Sequence, residues 1–166
     1  MIKYLSKEDL DLVVELLSTL YSKIEEVPEY KFEKQGFEKL CGILEQSQSD
    51  TYYPTIFQKA SFVLVGINKG HFFSNGNKRL ALVTVATFLD NNKFVLKRDT
   101  KEYYKKFLTS LFPEYNLWAD FDEFSSTDFA TYNLSIMIAD SGVYNITHDE
   151  LKRRVTVFLE EATEGI

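Results

Sequence analysis

The sequence predicts an all-α fold around one core, and three observations carry that expectation. Only seven Gly and three Pro occur in 166 residues, leaving little chain for turns and linkers. Apolar side chains recur at three- and four-residue spacing through most of the chain. A composition of 45% hydrophobic, 27% charged and 15% aromatic residues is globular, neither disordered nor fibrous. The length suits a single domain over 1–166.

Each element has a local reason. Ser6 with Asp9 forms a capping-box pattern, with Asp where Glu or Gln is usual. Leu10, Val13, Val14, Leu17, Leu20, Tyr21 and Ile24 then predict a first helix to about Glu25, stopped by Pro28. A second helix is predicted over 37–46, before the polar break Ser47-Gln48-Ser49-Asp50. Tyr52-Tyr53-Pro54 precedes a third over 55–69, with Phe57, Ala60, Val63, Leu64 and Ile67 inward. After a short loop, 76–91 reads as a fourth helix, apolar nearly all round from Leu80 to Leu89 and so expected at the centre of a bundle. Val95-Leu96 allows a brief extended piece or hairpin. Asp99 or Thr100 caps a helix to about Leu111, and 113–126 is irregular. A helix over 127–140 follows. Thr147 with Glu150 forms a capping box opening a last helix to about Ala162.

Composition also excludes functions. The lone cysteine, Cys41, excludes an internal disulfide framework and a multi-cysteine zinc site. No apolar run is long enough to span a bilayer, and residues 1–7 contain no stretch of signal-peptide length. A soluble, cytoplasmic protein without membrane contact is expected. The net charge of −6 argues against a general nucleic-acid binder. The charge is unevenly spread, however. Residues 51–89 contain no Asp or Glu and carry Lys59, Lys69, Lys78 and Arg79, so +4, whereas the rest of the chain is −10. Burial of an apolar helix explains missing acids. It does not explain Lys78-Arg79 directly after Gly76-Asn77.

The chemistry concentrates in His71-Phe72-Phe73-Ser74-Asn75-Gly76-Asn77-Lys78-Arg79. A loop delivers one His and turns through Gly76 into a helix N-terminus. The first amides of that helix lack internal partners and, with the macrodipole, form a phosphate cradle that Gly76 lets a ligand approach closely. Lys78 and Arg79 add positive charge for phosphoryl oxygens. His71 is the residue type to take a proton from an attacking hydroxyl, and Asn75 offers a magnesium ion an oxygen. A base, a cradle and a metal ligand together describe transfer from a nucleoside triphosphate.

The segment resembles the motif of the Fic/Doc family, His-x-Phe-x-(Asp/Glu/Asn)-(Gly/Ala)-Asn-(Gly/Lys)-Arg, with His71, Phe73, Asn75, Gly76, Asn77, Lys78 and Arg79 meeting every fixed position. The likeness extends to Tyr53-Pro54-Thr55-Ile56-Phe57-Gln58-Lys59-Ala60, to the helix over 80–89 with Asp90-Asn91-Asn92, and to the C-terminal helix pair. It covers about 5–100 and 127–160, with 101–126 as a family-variable insertion. The resemblance implies a compact Fic/Doc helical bundle, allowing a short β-hairpin flap. It implies ATP as substrate and Mg2+ at Asn75. It also implies a catalytic group of His71, Asn77 and Lys78, phosphate contacts from Gly76, Asn77, Lys78 and Arg79, and Phe73 as structural anchor.

Within the family, Lys78 discriminates. Fic enzymes have Gly there and a second Arg three residues after the first, and they transfer AMP. Doc-type proteins have Lys, and the resemblance implies that the γ-phosphate is presented instead. The second Arg would fall at position 82, which is Leu82. The expectation is a Doc-like kinase acting on a Ser or Thr hydroxyl of a target protein, a translation factor among the candidates. The alternatives are a Fic-type AMP or UMP transferase and a non-catalytic nucleotide-binding or interaction domain, the last suggested by Asn75 in place of the commoner Asp. The self-inhibiting pattern (Ser/Thr)-x-x-x-Glu-(Gly/Asn) is not met: Val27 follows Ser22 to Glu26, and Glu160 stands before Glu164-Gly165. Restraint by a separate antitoxin protein is therefore expected, as for a toxin. His148, one residue after Thr147, reads as a solvated first-turn residue and Cys41 as core. The aromatics from Tyr103 to Phe129 read as core filling, and the acids around Trp118 tell against nucleic acid.

Overall fold

A computed structural model describes residues 1–21, 30 and 32–166. Among them are seven helices: α1 (Lys7–Tyr21), α2 (Lys34–Gln46), α3 (Ile56–Gly70), α4 (Asn77–Asn91), α5 (Lys101–Leu111), α6 (Ser126–Ala139) and α7 (His148–Ala162). Two strands, β1 (Phe94–Leu96) and β2 (Thr163–Gly165), complete the list. The all-α class is therefore the observed one. The expected end of the first helix near Glu25, the Pro28 stop and the Ser22–Glu26 pattern lie outside the described residues. No helix among those described is long and apolar enough to cross a membrane.

Side-chain caps set most helix starts. Ser6 and Asp9 close a reciprocal box, the Ser6 amide donating to the Asp9 carboxylate at 2.7 Å and the Asp9 amide to Ser6 Oγ at 3.2 Å. Thr55 and Gln58 do the same for α3, and Ser125 and Asp128 for α6. Thr100, not Asp99, caps α5. Thr147 accepts the Glu150 amide, but the Glu150 carboxylate turns to Arg153 and Arg154 instead of closing the expected box.

The residues group into two compact units, Met1–Lys93 and Phe94–Ile166. In the first, α4 packs on α1 and α3, and α2 on α3. Leu10, Val13, Val14 and Leu17 of α1 are buried, as are Leu40 of α2, Ala60, Val63, Leu64 and Ile67 of α3, and Leu80, Ala81, Val85, Phe88 and Leu89 of α4. Contrary to the expected all-round burial, α4 hides one broad face: Ala86 is exposed, and Leu82 and Val83 are half-buried. Lys59 is wholly buried on α3, which the sequence did not suggest. Its ammonium is satisfied by Ser47 O at 3.1 Å and Asp50 Oδ1 at 2.9 Å, over the Tyr4 ring.

In the second unit, α5 packs on α6 and α7. The extended piece at Val95-Leu96 exists, but its antiparallel partner is Thr163–Gly165, so the pair is not a hairpin. Tyr104 is buried on α5 and donates to Lys97 O, and burial pushes its phenol up to about 12. Asn133 of α6 pins the irregular segment by bonding both backbone groups of Ala119, at 3.0 and 2.8 Å. The core-filling expectation holds for Tyr104, Tyr115 and Phe129 but not for Phe121, which is 52% exposed.

Candidate functional site

The motif occupies the turn between α3 and α4. Helix α3 ends with His71 in the left-handed region, φ 49° and ψ 44°, which throws the chain out of the helix and leaves the residue exposed. Gly76 takes φ 72° as the residue before α4, a conformation that favours glycine. Among the described residues no side chain caps α4, and no acid stands in its first turn, an arrangement that suits an anion at the amides after Gly76. Lys78 is exposed and Arg79 half-buried in that turn.

The loop between is braced from inside and outside. Asn77 bonds both backbone groups of Phe73, accepting from its amide at 3.0 Å and donating to its carbonyl at 2.8 Å. Its side-chain amide is thus committed to the loop. Phe73 is 4% exposed and meets the Tyr30 ring edge-on, centroids 4.8 Å apart. The Tyr30 hydroxyl lies 3.5 Å from Gly76 O. Glu33 takes Ser74 by two bonds, from the amide at 2.9 Å and the hydroxyl at 3.2 Å. Gly36 approaches so closely that a methyl there would come 2.1 Å from Phe72 O.

Tyr30, Glu33 and Gly36 were not foreseen from the sequence. They lie some 40 residues before the loop they hold, and no periodicity announces such a contact. The one available signal was Gly36 itself, an unusual residue for the first turn of a helix. Helix α2 begins at Lys34, not Phe37: the Phe37 amide already bonds Glu33 O at 3.1 Å.

Asn75 Oδ1 is buried with no hydrogen-bond partner among the described residues. An orphaned oxygen in this loop is an acceptor of the kind a hard cation takes, so the residue fits the expected magnesium ion as a neutral ligand. The described residues hold no cluster of three or more His, Cys, Asp or Glu able to bind a metal.

The other candidates fall away. His148 is exposed at the first position of α7. Cys41 is half-buried, and burial pushes its thiol up, away from the thiolate a nucleophile needs.

The Fic/DOC family model matches residues 5–89, from before α1 into the last turn of α4, just over half of the chain. No curated protein and no solved structure matches. The matched region contains α3, the loop, the cradle and α4 together, and on that ground the chain belongs to the Fic/DOC family.

Proposed function

We propose that the chain transfers the γ-phosphate of ATP to a Ser or Thr hydroxyl of a protein. Members of its family are transferases of the Fic/Doc type that act on protein targets. The observation that carries the finer reading is Lys78, in the first turn of an α4 that no side chain caps. The anion cradle of this chain comes with its own cation, where AMP-transferring members have glycine. Leu82 withholds the second Arg of those enzymes.

In this reading His71, exposed at the end of α3, takes the proton of the target hydroxyl as its oxygen attacks the γ-phosphorus. The bond from that phosphorus to the β–γ bridging oxygen breaks, and ADP leaves with the electron pair. The amides after Gly76, with Lys78 and Arg79, hold the phosphate oxygens. Asn75 would hold a magnesium ion, which would supply charge neutralisation on those oxygens. Asn77 and Phe73 keep the loop in shape. As a toxin, the chain would be restrained by a separate antitoxin protein. Glu164 and Gly165, the nearest described residues to a self-inhibiting pattern, lie in β2 and not in a helix.

The test is isotope choice. A cell extract is incubated with the chain and labelled ATP. Label on a protein from γ-³²P-ATP and none from α-³²P-ATP is expected. Label from α-³²P-ATP would instead establish AMP transfer, and no label from either would favour a non-catalytic nucleotide-binding domain. Asn75→Asp should raise the rate at low magnesium, since a carboxylate holds the ion more tightly than an amide.

A further inference from the structure

Between Lys106 and Lys152 the chain has no Lys or Arg and carries eight acids, from Glu114 to Glu150. This is the inverse of the acid-free segment around the motif. Several of the acids serve the fold. Glu114 and Glu150 hold Arg154, Asp128 caps α6, and Asp120 holds Lys101. Asp122 and Glu123 do not: both are exposed and take no cation among the described residues.

These two acids stand beside a cluster of three rings. Phe121 and Phe124 meet edge-on at 5.1 Å, Tyr132 lies 5.2 Å from Phe124, and Phe121 lies 6.2 Å from Tyr132. Phe121 is 52% and Tyr132 36% exposed, so the cluster presents ring surface that burial in the fold does not account for. The same segment shows what chemistry it accepts. Lys101 donates to Asp120 Oδ1 at 2.8 Å and to Phe121 O at 3.2 Å, and the Lys105 ammonium sits 5.6 Å from the Trp118 ring centroid. Ring faces and carboxylates side by side bind a cation and its aliphatic stem together. The excess of acid repels nucleic acid and anionic membranes.

We propose that Phe121, Phe124 and Tyr132, with Asp122 and Glu123, form a docking surface for a Lys/Arg-bearing apolar segment of the protein that this chain modifies. The chemistry of the partner follows from the surface. Its identity as the modified protein rests on the transferase reading.

The test uses the full chain and three synthetic peptides of equal length: alternating Leu and Lys, alternating Leu and Glu, and Lys alone. Trp118, the single tryptophan, reports binding by fluorescence. The Leu–Lys peptide should bind and the Leu–Glu peptide should not. Phe121→Ser should weaken Leu–Lys binding about tenfold, as for an exposed aromatic anchor. Glu123→Lys should weaken it and flatten its salt dependence, whereas Asp149→Lys, an equal charge change at a residue 97% exposed on α7, should leave it intact. The surface would be overturned by Asp149→Lys as damaging as Glu123→Lys, by Phe121→Ser without effect, or by the Lys-only peptide binding as tightly as Leu–Lys. Self-association that Phe121→Ser abolishes in sedimentation would assign the face to a second copy and overturn it too. The two readings fail separately. His71→Ala keeps peptide binding and loses transfer, while Phe121→Ser keeps kcat and raises KM for the protein target. An unchanged KM in Phe121→Ser sinks the docking proposal and leaves the transferase standing.

Discussion

At the start of α7, Thr147 Oγ1 accepts the Glu150 amide at 3.2 Å, and Asp149 and Glu150 fill the first turn. At the start of α4, Gly76 offers no side chain, Lys78 and Arg79 fill the first turn, and there is no acid. Both ends begin with the same unpaired amides and the same positive dipole end. Helix α7 neutralises them from within its own sequence, as Ser6, Thr55, Thr100 and Ser125 do elsewhere. Helix α4 adds cations to an already positive end, an arrangement unfavourable by roughly 0.3–1 kcal/mol per charge. The two ends differ in what answers the same amides: at α7 a hydroxyl and two acids, and at α4, among the described residues, no capping side chain and two cations.

The sharpest way to test the comparison is to remove what α4 is built around. His71→Ala should lower the transfer rate by about 10²–10⁴, the usual share of a general base, with the melting temperature nearly unchanged because the residue is exposed. A labelling time course checks it, and a variant as fast as wild type would deny His71 the base's role. Phe73→Ala should cost about 3–5 kcal/mol in urea unfolding, since it empties the buried site beneath the loop. The next test gives α4 the chemistry of α7. Lys78→Glu should weaken ATP binding by at least about 1.5–3 kcal/mol, the worth of one charge-assisted bond, in calorimetric titration. The ATP-free protein should become no less stable, because an acid suits that end of the helix.

The converse change belongs to α7. Thr147→Ala should cost about 1 kcal/mol of stability and leave ATP titration unchanged. The smallest effect is a pH dependence. Arg153 and Arg154 hold the Glu150 carboxyl down at about 2, and Arg154 lowers Glu114 from its ordinary value of 4.5. Both folded values lie below the unfolded ones. Their stabilisation is therefore present above the ordinary carboxylate value and lost as pH falls below it, for Glu150 on the way to about 2. Melting curves across that window should show the loss, and Glu114→Gln should shrink it.

Local features were legible. Caps, apolar spacing and Gly or Asn stops placed α3, α4, α6 and α7 within about one residue, because these signals act over one helical turn. The motif was legible too, since its chemistry is contiguous from His71 to Arg79. Contacts across long sequence separation were not. Nothing in Phe94–Leu96 predicts Thr163–Gly165 as its partner, and nothing near Glu33 predicts Ser74. Lys59 reads as surface until its reach to Ser47 and Asp50 is seen. Phe121 fits a core pattern yet stands in solvent, because hydrophobicity indicates burial only in bulk.

The Glu33 grip on Ser74 has a thermal consequence. The carboxylate that could have capped α2 is spent on the loop, so α2 starts with no side-chain cap of its own. A helix end in that state opens more readily than the core beneath it, as a local unfolding event. Each opening frees Ser74 and lets the loop between His71 and Gly76 lose its shape while Leu64, Leu80 and Val85 remain packed. Catalysis should therefore cease on heating at a temperature below the global transition, and return on cooling without refolding. Amide protons of Ser74 and Phe37 should exchange together, ahead of those in α3 and α4.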